Sequence, residues 1–249
     1  MEKKINNVNY LTVDHLLGAA VRAGRDKGRN GDSCGDSLLI DLENNFFAVA
    51  DSTERAPSAS RAFLEKVRAL LKNHGLHGSE STDSNRQVKE FVSAVNASVA
   101  EVTYTDNTTF TGLFFDARTQ RVVLLHNGDS ICYHFRVAKE RGEKISQTNH
   151  CFVGRVHELN QTRHFEYAED SRFLLATDGF YDLVRNLRRM QNGGMEQTIM
   201  ELMRERSADQ IPEAFIGRYD LCPEMSDDLG MIVLNPGVLC NDHKTNIIM

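Results

Sequence analysis

Aspartate borders apolar runs at four points of this sequence. Two runs end in it, FFAVA before Asp51 and FLLAT before Asp178, and two begin just after it, with Asp32 ahead of CGDSLLI and Asp227 ahead of DLGMIVL. In antiparallel pairing the end of one strand lies beside the start of its neighbour, so Asp32, Asp51, Asp178 and Asp227 can gather at one edge of a sheet. Carboxylates brought together in partly buried surroundings repel one another unless cations or basic groups compensate. Hard oxygen donors without Cys or His favour Mg²⁺ or Mn²⁺ over zinc, and incomplete ligation leaves positions for water. A pair of such ions can acidify that water and hold a phosphoryl oxygen, which is the chemistry of phosphoester hydrolysis. Aspartate at a strand end is also a common turn former and helix cap, and spacing alone leaves both readings open.

Arg25, Lys27 and Arg29 precede Asp32 closely. A short basic stretch is ordinarily a solvated face, but adjacency to Asp32 also makes these residues candidates for holding a phosphate. The other carboxylates read differently. Asp129 follows Asn127-Gly128 and fits a hydrogen-bonding role in a turn, and Asp36, Asp41, Asp182 and Asp228 read as turn, surface or supporting groups. The nine histidines show no HExxH spacing and are assigned no role. The five cysteines, Cys34, Cys132, Cys151, Cys222 and Cys240, form no close pair and suggest neither a disulfide framework nor a zinc knuckle.

With 249 residues, 41% of them hydrophobic and 26% charged, the chain can bury one substantial core and is expected to fold as a soluble globule. The balance of 35 acidic against 29 basic residues, with no long basic run, argues against a nucleic-acid partner. No stretch has the length of an apolar membrane span, and MEKKINNVNYL lacks the apolar run of a secretory signal, so the expected compartment is cytoplasmic, with no membrane partner.

The elements that must position the aspartates follow from hydrophobic patterning. Continuous apolar runs at 44–51, 121–129, 172–179 and 228–236 predict buried strands. Asn127-Gly128, between VVLL and SICYHF, predicts a tight hairpin with those two strands as antiparallel neighbours. Ala59, Phe63, Leu64, Val67, Leu70 and Leu71 recur at helical spacing, as do Val88, Phe91, Val92, Val95 and Val99, and these two helices are expected to pack together over one sheet. Further helices are expected over 180–187 and 195–203, separated by QNGG. The predicted domain spans 1–236, and 237–249, with no clear partner pattern, reads as a C-terminal tail.

Taken in order, these blocks resemble the PPM metal-dependent phosphatases, which include type-2C and stage II sporulation E-type enzymes. GRDKGRNGD (24–32) is similar to the family's opening GxxRxxNxD element, FAVADS (47–52) to its strand ending in Asp-Gly, and TTFTGLFF (108–115) to its Thr-rich block. HNGDSICYHF is similar to NxGDSRxY, QTNH (147–150) to a degenerate T-x-D-H, and FLLATDGFYDLV (173–184) and SDDLGMIV (226–233) to the closing blocks. The resemblance spans roughly residues 20–235.

It implies an α+β, four-layer αββα sandwich, with two antiparallel sheets between helices and a binuclear metal centre at one end. It further implies that Asp51 bridges two Mn²⁺ or Mg²⁺ ions, that the Ser52 carbonyl stands where the family uses glycine, that Asp178 and Asp227 hold the first ion, and that Asp32 ligates or orients water near the second. Lys27 takes the slot of the phosphate-binding arginine, with Arg25 and Arg29 as substitutes, and Asp228 stands where asparagine is common and steadies Asp227. The implied activity is hydrolysis of phosphoserine or phosphothreonine in a phosphoprotein substrate, opposite a cognate kinase. Gly31 replaces an acidic residue, DSTER replaces a glycine-rich loop, and the histidine proposed as general acid in many eukaryotic members is absent. These departures leave a catalytically silent PPM-like binding module as the competing reading.

Overall fold

A computed structural model describes residues 1–5, 8–24, 34–53, 56–74, 84–181, 183, 195–219, 227–239 and 246–249. Strands β1 (Glu2–Ile5), β2 (Val8–Val13), β3 (Leu17–Arg22), β4 (Asp36–Asp41) and β5 (Phe46–Asp51) open the chain and lead to helices α1 (Ala59–His74) and α2 (Ser84–Glu101). Strands β6 (Phe110–Asp116), β7 (Arg121–Asn127), β8 (Ile131–Arg136), β9 (Arg141–Lys144), β10 (Gln161–Glu166) and β11 (Ser171–Ala176) follow. Helices α3 (Met195–Glu205) and α4 (Ile211–Tyr219) precede β12 (Leu229–Leu234) and β13 (Asn246–Ile248).

The strands form two antiparallel sheets, one ordered β1-β2-β3-β12-β11-β8-β9 and the other β10-β7-β6-β5-β4-β13. Both faces of the central strands are covered, which explains why they read as unbroken apolar runs. Side chains still alternate between two cores. Along β5, Phe47 and Val49 enter the core between the sheets, whereas Phe46, Ala48 and Ala50 face α1 and α2. Along β12, Ile232 and Leu234 turn to the other sheet, whereas Leu229, Met231 and Val233 pack with Ile199 and Leu202 of α3 and Phe215 of α4. Three cores between four layers make the αββα sandwich that the resemblance implies.

Edge-to-face phenylalanines join the layers. Phe115 and Phe173 meet across the two sheets at 5.2 Å between ring centroids, while Phe63 meets Phe110 at 5.2 Å and Phe91 meets Phe46 at 5.5 Å beneath the helices. The stripes expected for α1 and α2 bear this out, with Phe63, Leu64, Val67, Leu71, Phe91, Val95 and Val99 buried together on one sheet. Of the helix expected over 180–187, residues 180, 181 and 183 are helical and the others lie outside the described residues; the helix expected over 195–203 is α3. No helix among the described residues is long and apolar enough to cross a membrane.

One expectation is corrected. The turn at Asn127-Gly128 does not join neighbouring strands, because β7 and β8 lie in different sheets. Asn127 stays in β7 opposite Phe110. Its side chain donates to the Glu158 carbonyl at 3.2 Å and accepts from the Asn160 amide at 2.7 Å, fixing the approach to β10. Gly128, at φ 100°, carries the chain out of one sheet toward the other. Within the stretch read as a tail, Asn246–Ile248 pairs with β4 at the edge of the second sheet, and Leu38 and Met249 exchange backbone hydrogen bonds of 3.1 Å.

Candidate metal centre

The alternation that builds the core also builds the site. Counting by twos from Phe47 and Val49 brings Asp51 onto the inter-sheet face, and counting back from Ile40 and Leu38 brings Asp36 there. β4 and β5 pair Asp36 directly with Asp51. Asp36 is only 4% exposed, and its carboxyl lies close enough to that of Asp51 for each to perturb the other. Burial pushes both carboxyls well above the usual carboxylate range. At Asp51 the charges of Asp36, Asp178 and Asp227 push further in the same direction. At Asp36 those of Asp228 and Asp178 add to burial, partly offset by the Thr177 hydroxyl, which donates to Asp36 Oδ2 at 2.6 Å. Without a cation, such a pair holds a shared proton at neutral pH.

Asp178 follows β11 in a turn, and Gly179 after it is required by close approach: a Cβ there would stand 1.8 Å from the Asp228 carbonyl oxygen. Asp227 accepts the Asp228 amide at 2.8 Å. Asp228, 2% exposed, spends its carboxylate on two amides from opposite sheets, Gly24 just after β3 at 2.6 Å and Gly35 just before β4 at 2.5 Å. Asp228 therefore ties the sheets together at the acidic end, a larger task than steadying Asp227.

The second sheet holds Asp51 by its backbone. Thr108 Oγ1 and the Thr109 amide donate to the Asp51 carbonyl at 2.7 and 2.8 Å, and the Asp51 amide donates to Thr109 Oγ1 at 2.9 Å. Thr109 Oγ1 lies 2.7 Å from Ser130 Oγ, which links the Thr-rich block to the Gly-Asp-Ser turn. The Gly35 carbonyl accepts from Ser52 Oγ at 2.8 Å, the Ser52 amide at 3.2 Å and Ser60 Oγ at 2.6 Å. Ser52, in the glycine's place, forms a bridge with Thr108. Its φ is not positive, so the missing glycine costs no backbone strain here.

Asp51 feels the charges of Asp178 and Asp227. Asp32, Arg25, Lys27 and Arg29 lie outside the described residues. Asp36, read from the sequence as a turn, surface or supporting group, is the carboxylate set opposite Asp51. GDSCGDS (31–37) contains the same tripeptide twice, four residues apart, and only the second copy abuts the apolar run LLI. Applying the strand-border rule at that boundary selects Asp36.

Among the described residues, no three Asp, Glu, His or Cys side chains stand together as ready metal ligands. Asp227 and Asp228 bond backbone amides, and it is Asp36 and Asp51 that face each other. The donor set nevertheless fits Mg²⁺ or Mn²⁺: it is entirely hard oxygen, and its central pair retains a proton that a divalent ion can replace.

Four layers with carboxylates at one end of the inter-sheet core match the arrangement that the resemblance implies. The family model for stage II sporulation protein E (SpoIIE) matches residues 45–236, more than half of the chain, and the chain belongs to that family within the PPM superfamily. No curated protein sequence matches it. Among solved structures, it is similar to the serine/threonine phosphatase PstP of Mycobacterium tuberculosis, with a TM-score of 0.64 and 19% identity over 88% of this chain and 97% of that one. PstP is also known in complex with 2 manganese ions. RsbX in complex with magnesium gives a TM-score of 0.57 and 15% identity, over 94% of this chain and 97% of its own. The PP2C phosphatase domain of SpoIIE from Bacillus subtilis, with a fragment of its regulatory domain, gives 0.58 and 15%, over 92% of this chain and 63% of that one. At these identities the likeness is one of fold.

Proposed function

We propose that this protein hydrolyses phosphoserine and phosphothreonine in phosphoprotein substrates, opposing a kinase, with a pair of Mn²⁺ or Mg²⁺ ions held by its aspartates. The observation that carries this reading is the buried Asp36–Asp51 pair, two carboxyls that both stay charged only when a cation accompanies them. Asp36, Asp51, Asp178 and Asp227 would hold the ions, with the Ser52 carbonyl as a further oxygen donor. Such ions, when bound, acidify water and neutralise phosphoryl oxygens.

The chain's own groups do the rest. Thr177 orients Asp36 through its hydroxyl, Thr108 and Thr109 fix the Asp51 backbone, and Asp228 keeps the two sheet ends in register. Arg25, Lys27 and Arg29 are assigned to the phosphate and Asp32 to orienting water. A phosphopeptide assay with Mn²⁺ tests the reading. Phosphate release that depends on manganese and disappears in Asp178→Ala supports it; metal-independent turnover would contradict the metal-based reading, and absent turnover in folded protein returns the chain to the silent binding module.

A further inference from the structure

Loop 149–158 presents a cationic feature that the proposed chemistry does not use. The Arg155 guanidinium lies over two rings, 5.3 Å from the Tyr104 centroid and 5.0 Å from that of Phe152. Arg155 is exposed and makes no ion pair among the described residues. Tyr104, 68% exposed, is the most exposed aromatic among them. Both walls are anchored: Asn107 Nδ2 donates to the Tyr104 carbonyl at 2.8 Å, and the Arg155 amide donates to the Phe152 carbonyl at 2.9 Å. Ring faces attract the guanidinium and limit its rotamers, while its N–H edge stays available to an oxyanion.

Its location relative to the acidic cluster is set by backbone pairing. Ser52 bridges Thr108, and Thr108 bridges Val153, which lies between Phe152 and Arg155. The Thr108–Val153 bridge is closed by reciprocal bonds of 3.1 and 2.9 Å. Two strand spacings put Val153 roughly 10 Å from Ser52, the neighbour of Asp51, a span that about three residues of extended peptide cover. An aromatic-held arginine on the rim of a site is the kind of anchor that dominates recognition energetics.

The geometry points to Arg155, gripped by Tyr104 and Phe152, as a specificity subsite that receives an acidic side chain about three residues from the phosphorylated serine of a substrate protein. This assignment rests on the phosphatase reading above. A carboxylate matches the planar guanidinium edge in a paired, two-bond geometry.

The test measures kcat/KM with Mn²⁺ on three phosphoserine peptides, with glutamate three residues before the phosphoserine, glutamate three residues after it, or alanine at both places. p-Nitrophenyl phosphate serves as a substrate with no flanking residue. One glutamate peptide is expected to exceed the alanine peptide by about tenfold, the preference vanishing in Arg155→Ala and Tyr104→Ala and returning in part in Arg155→Lys. All variants should hydrolyse p-nitrophenyl phosphate at the wild-type rate. Equal rates on all three peptides beside normal p-nitrophenyl phosphate turnover would overturn the subsite and leave the phosphatase standing. No turnover of any substrate by the folded protein would overturn the phosphatase reading itself. A preference that survives in both Arg155→Ala and Tyr104→Ala would place the selecting group elsewhere.

Discussion

Two buried polar nodes at the same end of the second sheet treat charge in opposite ways. His126, fully buried in β7, has Nδ1 2.8 Å from Thr111 Oγ1 and Nε2 2.9 Å from the Gln147 carbonyl. The carbonyl can only accept, so Nε2 carries the hydrogen and Nδ1 accepts from Thr111. Burial pushes the ring down to about 4, and it stays neutral with both nitrogens bonded. Two strands away, Asp36 and Asp51 face each other with too few donors; burial raises both, the charge of Asp36 adds to it at Asp51, and those of Asp228 and Asp178 add to it at Asp36. A polar group whose task is to hold the fold is neutralised and saturated. A polar group left with excess charge marks the place where the molecule expects something else to bind.

The largest break in this contrast is Asp51→Asn. Turnover should fall by more than roughly a hundredfold, beyond the usual cost of losing a supporting partner, while the metal-free protein becomes more stable at neutral and alkaline pH. The folded metal-free protein keeps a proton on the Asp pair that the unfolded chain, with ordinary carboxylates, has released. Its stability should therefore fall as pH rises from the carboxylate range through neutrality. Urea titrations in a chelator should follow this slope in the wild type and lose most of it in Asp51→Asn.

Asp228→Ala comes next. It leaves the buried amides of Gly24 and Gly35 without their acceptor, at a cost of about 3 kcal/mol in urea unfolding. Asp228→Asn, which retains one acceptor oxygen, should lose less.

The His126 node sharpens the contrast from the other side. Its folded value lies below the ordinary 6.5 of the unfolded ring. The stability it protects is complete above about pH 6.5 and is lost as pH falls toward 4, the loss levelling off at about 3 kcal/mol once the folded ring also protonates. Unfolding of His126→Gln followed across that window should show a flatter acid limb; an unchanged limb would assign the acid sensitivity to other groups. The smallest effect is expected for Thr177→Val, which removes the hydroxyl on Asp36. It should lower turnover by about tenfold, with Mn²⁺ affinity falling in parallel.

Much of this architecture is legible in the residues. Runs such as FFAVA and GMIVL are covered on both faces, so they announce themselves as strands whatever their partners, and α1 and α2 carry their burial stripe openly. Asp51 and Asp178 follow because each closes such a run. The first strands are harder. β3 is LGAAVR, whose small residues give little apolar signal. β13 is three residues long and gains its meaning from pairing with β4. Asn127-Gly128 has the composition of a hairpin, but the turn takes its direction from side-chain bonds to residues 158 and 160, 31 and 33 positions later. The duplicated Gly-Asp-Ser drew the reading to Asp32, which lies outside the described residues, while the cross-strand register that sets Asp36 opposite Asp51 is not written in the local sequence.

The central claim is that Asp36 and Asp51 exchange their shared proton for a divalent ion. Calorimetric titration of Mn²⁺ at neutral pH, repeated in buffers of different ionisation enthalpy, measures both events together. The account predicts saturable binding with proton release in the wild type and neither in Asp51→Asn. Binding of equal strength in the variant, or none in the folded wild type, would contradict it.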